Sequence, residues 1–338
     1  MGMPMNLLED ARRRQWIGLL PALAAMVYPF FLKGFHAALA SGSDSLASAL
    51  LLGAFAMSLF GFAFVFRLTR ISNPTRFDLR ARRLAYASIA APPLFVFVGV
   101  APGLVGIQIP DIAIWIVLWL MAGLYVWLAP DGPVAQTPTR PIAGWRVAHG
   151  AAAAIITCFV LFHLTNHLFG LEGPEAHKAI MAAGRKVYRA PLIEPVLVLL
   201  LLFQVASGVR LAWRWSSLRV DAYRIFQIGS GAYLSAFILT HMNSVFFSAR
   251  AVHHIETDWA WASGAPTGLL HDAWNIRLLP HYALGVFFIL GHLASGLRVV
   301  MIAHGVSATI ANRFWVAALA ASLVIATAIM SGLCGVRL

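Results

Sequence analysis

Imidazole carries most of the potential chemistry in this sequence. Of its 12 histidines, only His36 precedes the proline-rich stretch "APDGPVAQTPTRPIAG" at 129–144. Two later stretches are near copies: "FQVASGVR" at 203–210 and "GHLASGLR" at 291–298 share Ala, Ser, Gly and Arg at the same spacing, but Gln204 stands where the twin has His292. Both lie inside long apolar runs, as do His163 and His241. Counting depth at about 1.5 Å per residue along a helix, His163 and His241 share a level roughly 22 Å from the inner boundary. Gln204 and His292 share a second level, roughly 18–20 Å in from the outer boundary. Two neutral imidazoles on facing helices can ligate one iron axially, which makes haem a natural occupant. Gly208 and Gly296 each follow the polar residue by four positions, on its own helix face, and leave space for a flat ring. The same residues also suit hydrogen bonding between helices, with "HLTNH" at 163–167 as a polar seam. His149, His281 and His304 fall near span ends, where interfacial hydrogen bonding suffices.

The elements that must position these residues are membrane-spanning helices. The chain has 338 residues, 60% hydrophobic and 11% charged, against about 25% charged in a soluble domain. Runs of roughly 20 apolar residues predict nine spans, near 16–39, 46–67, 84–106, 110–129, 148–170, 191–213, 225–248, 280–302 and 313–335. The first follows "DARRRQW" with no small-residue cleavage site, and reads as a retained helix. Basic residues gather in segments such as "RLTRISNPTRFDLRARR" at 67–83, which places the N-terminus inside and the C-terminus outside. The fold class is therefore an all-α integral membrane protein of the inner (cytoplasmic) membrane. The proline-rich stretch divides it into a four-helix extension (1–140) and a five-helix bundle (141–338). The stretch 170–191 reads as a short interfacial helix, and the tryptophans of 249–280 as interface anchors.

The formal charge of +12 follows from topology, suits a lipid surface, and is not a nucleic-acid footprint. The two cysteines form no CxxC or CxxCH motif, so zinc and covalent haem gain no support. Nucleotide-binding glycine motifs are lacking as well.

Residues 145–335 resemble the single-chain, five-helix cytochrome b anchor of the succinate dehydrogenase/fumarate reductase superfamily. The resemblance rests on "RVAHG" (146–150), "FHLTNHLFG", "YRAPLIEP", "FQVASGVRLAW", "FQIGSGAYLSAFILTH" and "HYALGVFFILGHLASGL", in that order. It implies b haem bound between helices, a quinone as redox partner, and flavoprotein and iron–sulfur subunits on the cytoplasmic side. By position, His163 and His241 match the ligands of the outer haem, and Gln204 and His292 those of the inner one. Glutamine is a weak axial ligand, so one haem b is expected at the outer level. The inner site is then either empty, with Gln204 bonded to His292, or served by His292 alone. Arg146 and His149, at the inner mouth, are candidates for quinone contacts or propionate pairing. The expected role is electron transfer between a partner and the quinone pool, with no catalytic residue of the chain's own. A haem-free assembly or transport module that kept the bundle is the alternative.

Overall fold

The computed structural model describes residues 5–134 and 142–338, with side chains from residue 15 onward. The boundary expected at 140/141 lies outside the described residues, as do the arginine side chains of "DARRRQW". The N-terminal part comprises α1 (Met5–Ala40), α2 (Asp44–Thr69), α3 (Arg76–Ile89), α4 (Ala91–Leu104) and α5 (Asp111–Leu128). After it come α6 (Ala143–Leu168), α7 (Pro174–Tyr188), α8 (Ile193–Ser216) and α9 (Ala222–Met242), which runs on as a π-helix over Asn243–Val252. Two short turns, α10 (Trp259–Ser263) and α11 (Gly268–His271), lead to α12 (Leu278–Ala303) and α13 (Ala308–Leu333). The fold is all-helical among the described residues.

Seven of these helices are long and apolar enough to cross a membrane, and eight if the bent pair α3–α4 counts as one crossing. Two of the nine expected spans are not among these seven: 225–248, where α9 runs into the π-helix, and 84–106. There the chain bends by 70° between Ile89 and Ala91. Pro92 and Pro93 lack an N–H and disfavour helix in the residue before them. The bend leaves the Ile89 carbonyl without its usual donor, and the Ser58 hydroxyl donates to it at 2.8 Å. A freed backbone group inside a bundle must be satisfied in this way. The helix before the bend starts at a capping box between Thr75 and Asp78, earlier than hydropathy alone suggests.

The basic segment before that bend is more than a topological signal. Arg82 is only 1% exposed. Its guanidinium donates to the carbonyls of Leu68 (2.8 Å), Ser216 (3.1 Å) and Leu218 (3.1 Å). The Leu68 and Ser216 carbonyls belong to the unsatisfied C-terminal turns of α2 and α8, and Leu218 follows just after α8, so one side chain ties both ends together. Arg83 lies over the Trp213 ring at 3.6 Å.

α9 packs against α8 and α12 on one side and against α2, α3 and α4 on the other. Phe62 of α2 stacks on Phe226 of α9, with ring centres 5.8 Å apart. Thr240 donates to the Pro93 carbonyl at 3.1 Å. At the other end of α4 and α5, Arg277 pairs with Asp111 at 2.7 Å. The N-terminal helices thus back the two helices that carry His241 and His292. α6 and α8, by contrast, stand largely exposed on the far side.

Candidate functional site

Between α6, α8, α9, α12 and α13 lies one cavity of about 1490 Å³. It exceeds the roughly 300–1,000 Å³ usual for a small-molecule pocket. His163, His241, His149, His292, Gln204, Gly208 and Gly296 all line it, as do Arg146 and Arg224. Most of its wall is apolar, so each polar group along it stands out.

The rings of His163 and His241 face each other with centres 6.0 Å apart and planes at 71°. Two imidazoles bound on opposite sides of one metal ion, each at about 2 Å, stand with their ring centres about 6 Å apart. Among the described residues, neither ring makes a hydrogen bond to protein. Phe159 stacks on His163, with centres 5.5 Å apart, and Phe237 on His241, at 5.7 Å. These contacts fix the ring planes while leaving the nitrogens to the cavity. The pair expected at the outer level is therefore brought together.

At the inner level the expected hydrogen bond between Gln204 and His292 is not formed. Gln204 donates from Nε2 to the main-chain carbonyl of His149 at 2.8 Å and does not bond to His292. The ring that meets His292 is His149, with centres 6.5 Å apart and planes at 75°. The Nδ1 of His149 lies 2.8 Å from the Ser207 hydroxyl, which itself donates to the Phe203 carbonyl at 2.6 Å. The Nδ1 of His292 lies 3.0 Å from the Ser230 hydroxyl, which donates to the Gln227 carbonyl at 3.2 Å. The short Ser207–Phe203 bond commits that serine's proton, so His149 donates from Nδ1 and keeps its Nε2 lone pair free; the Ser230 bond to the Gln227 carbonyl allows the same arrangement at His292. A histidine metal ligand is commonly oriented by such an outer hydrogen bond.

Glycines stand on the opposing walls. A Cβ added at Gly231 would come to 3.1 Å from Cε1 of His292, tighter than an ordinary contact, while one at Gly208 would come to 3.4 Å from Cε1 of His149, an ordinary contact. At Gly296 an added Cβ meets nothing within 4 Å, so that wall is open. The ring separations, free ring nitrogens and glycine-lined wall fit a haem. Among the described residues no group of three or more His, Cys, Asp or Glu could hold a bare metal ion, which is a different arrangement from an axial pair.

Sequence reasoning placed His149 at a span end. The helix instead opens at Ala143, and His149 stands inside it, half-buried. Its approximate spacing of four turns from His163, at 3.6 residues per turn, puts both histidines on one face of α6.

Above the outer pair the polar seam of "HLTNH" continues. His167 contacts His163, with ring centres 4.8 Å apart, and His177 of α7 lies 5.3 Å beyond. Asn166 and His177 bond at 3.1 Å. Trp259, expected as an interface anchor, is buried against His177 and Gly170. The predicted interfacial helix is present as α7, outside the apolar spans. Burial, helped by the nearby Arg185 charge and opposed by Asp258, pushes the His177 pKa down to about 4. The unfolded chain then binds a proton near the ordinary value of about 6.5 that the folded one refuses. The resulting stability is complete above that pH and is lost as pH falls toward about 4. The melting temperature should fall across this window, and less so in His177→Phe. An equal fall in the variant would place the effect on other groups.

Comparison of the chain with models of known families, with curated proteins and with solved structures finds no match.

Proposed function

We propose that this chain is a membrane cytochrome b that passes electrons between a redox partner and membrane quinone. The single observation that carries this reading is the His163/His241 pair, 6.0 Å apart at the outer level of a cavity sized for a large flat group. A bound haem b would supply reversible one-electron transfer. His163 and His241 would fill both axial positions, so the site would shuttle electrons and leave no position for a substrate. Phe159 and Phe237 would hold the two rings in place, and the apolar wall would keep water away.

The resemblance of residues 145–335 to succinate dehydrogenase/fumarate reductase anchors is part of this proposal. So are flavoprotein and iron–sulfur partners on the cytoplasmic side. In this reading α9 is a further crossing and the bent α3–α4 pair another, giving nine crossings with the N-terminus inside. Arg146 lies at the inner mouth, suited to an acidic group on an occupant.

Purified protein should show sharp Soret and alpha bands on dithionite reduction. Carbon monoxide should leave the reduced spectrum unchanged, because both axial positions are occupied. A spectrum without haem bands would sink the cytochrome and favour the haem-free assembly or transport module. A large carbon monoxide shift would contradict the bis-histidine ligation.

A further inference from the structure

We propose that the inner level is a second haem site whose ligand comes from α6 in place of α8. Its axial pair is His149 and His292. This inference rests on the haem reading of the cavity but adds a site that Gln204 had argued against.

Three independent features meet there. The first is the facing pair of rings at 6.5 Å. The second is the matched pair of serines: Ser207 and Ser230 are both fully buried, and each holds one imidazole by Nδ1. An imidazole that donates to its serine from Nδ1 leaves Nε2 as the donor to a metal. Each histidine is held by a serine of a neighbouring helix, and the two rings, facing each other, make no hydrogen bond to one another.

The third feature is charge. Arg146 lies one turn before His149 on α6, and Arg224 lies two turns before Gly231 on α9; both line the cavity. Arg224 bonds to Gln227 at 2.5 Å and lies 4.5 Å over the Trp215 ring. Among the described residues neither guanidinium is hydrogen-bonded to a carboxylate. The occupant that fits is a flat, apolar macrocycle with a central metal and acidic substituents directed toward the cytoplasmic end. Haem, with its two propionates, has that chemistry.

The glutamine now has a role. Its amide fastens α8 to the main chain of the ligand turn of α6, through the 2.8 Å bond to the His149 carbonyl. Gln204 therefore positions His149 and does not touch the metal.

The test uses the full-length protein, with haem per chain measured by pyridine haemochrome and the low-spin signals resolved by electron paramagnetic resonance. The parent should hold about two bis-histidine haems. His149→Ala and His292→Ala should each retain one haem and lose the same low-spin signal. Gln204→Ala, which loosens the positioning of His149, should weaken retention of the inner haem less than His149→Ala does, and Gln204→His should add none. Because the alanine variants could disturb folding, Ser207→Ala and Ser230→Ala give a second readout. Each keeps its histidine but removes the acceptor at Nδ1. The imidazole becomes a weaker electron donor, so one of the two midpoint potentials should rise while the other stays.

Loss of a haem from Gln204→Ala but not from His149→Ala would overturn the assignment of α6. Serine variants with both midpoints unchanged would overturn the axial role. A parent with one haem, unaffected by His149→Ala and His292→Ala, would overturn the inner site and leave the outer-haem proposal standing. A parent with no haem would sink both.

Discussion

His163→Ala and His241→Ala should each lose the outer haem completely, while His167→Ala keeps it. The contrast is informative because His163 and His167 stand one turn apart on the same face of α6, with ring centres only 4.8 Å apart. Only His163 faces His241 across the cavity. In the proposed haem site, removing one of these imidazoles would leave the iron with a single strong ligand in an apolar wall. Haem binding also stabilises the folded bundle by mass action, so the same two variants should melt earlier than the parent. The His167 variant should not. Haem content after purification and the thermal melt of the same sample decide the matter. If His167→Ala loses as much haem as His163→Ala, the outer pair has been misassigned.

Arg82→Met should be the most damaging substitution far from the cavity. The side chain is almost wholly buried and donates to three carbonyls at the ends of α2 and α8. Methionine fills similar space but leaves those acceptors unpaired. At about 1 kcal/mol or more for each unsatisfied buried group, the loss is about 3 kcal/mol. Lysine should rescue little, since a single ammonium cannot span three acceptors as a planar fork does. Thermal unfolding in detergent would measure it. A melt within a degree of the parent for both variants would show that the carbonyls find other partners.

Much of the fold was legible because apolar length and basic flanks are strong signals in a membrane chain. α6, α8, α12 and α13 appear close to where hydropathy puts them. The bend at Ala90 was legible in "APP", but a run of apolar residues continued across it and masked the break. Arg82 was read as part of an inner basic rim, because nothing in a sequence shows which arginine of a cluster turns inward. The facing outer pair was readable from depth, since His163 and His241 sit deep in their runs. The ring that faces His292 was not, for a specific reason. Trp145 and Arg146 lower local hydropathy, so the predicted span began at 148 and left His149 at its edge. The helix starts at Ala143, and the difference carries His149 into the bundle. The twin motifs then drew attention to Gln204, whose spacing matches His292 but whose amide bonds to a main-chain carbonyl.

One consequence concerns α6, which holds a histidine of each facing pair. His149 and His163 are separated by about 21 Å along a single rod at 1.5 Å per residue. The partners, His241 and His292, sit on two different helices that the N-terminal part braces. The interval between the two levels is therefore written into one stretch of covalent chain. It does not depend on how neighbouring helices slide, and an insertion or deletion between Gly150 and Phe162 would put the two levels out of phase. A single residue added there would rotate His163 by about 100° away from His241 while leaving His149 in place.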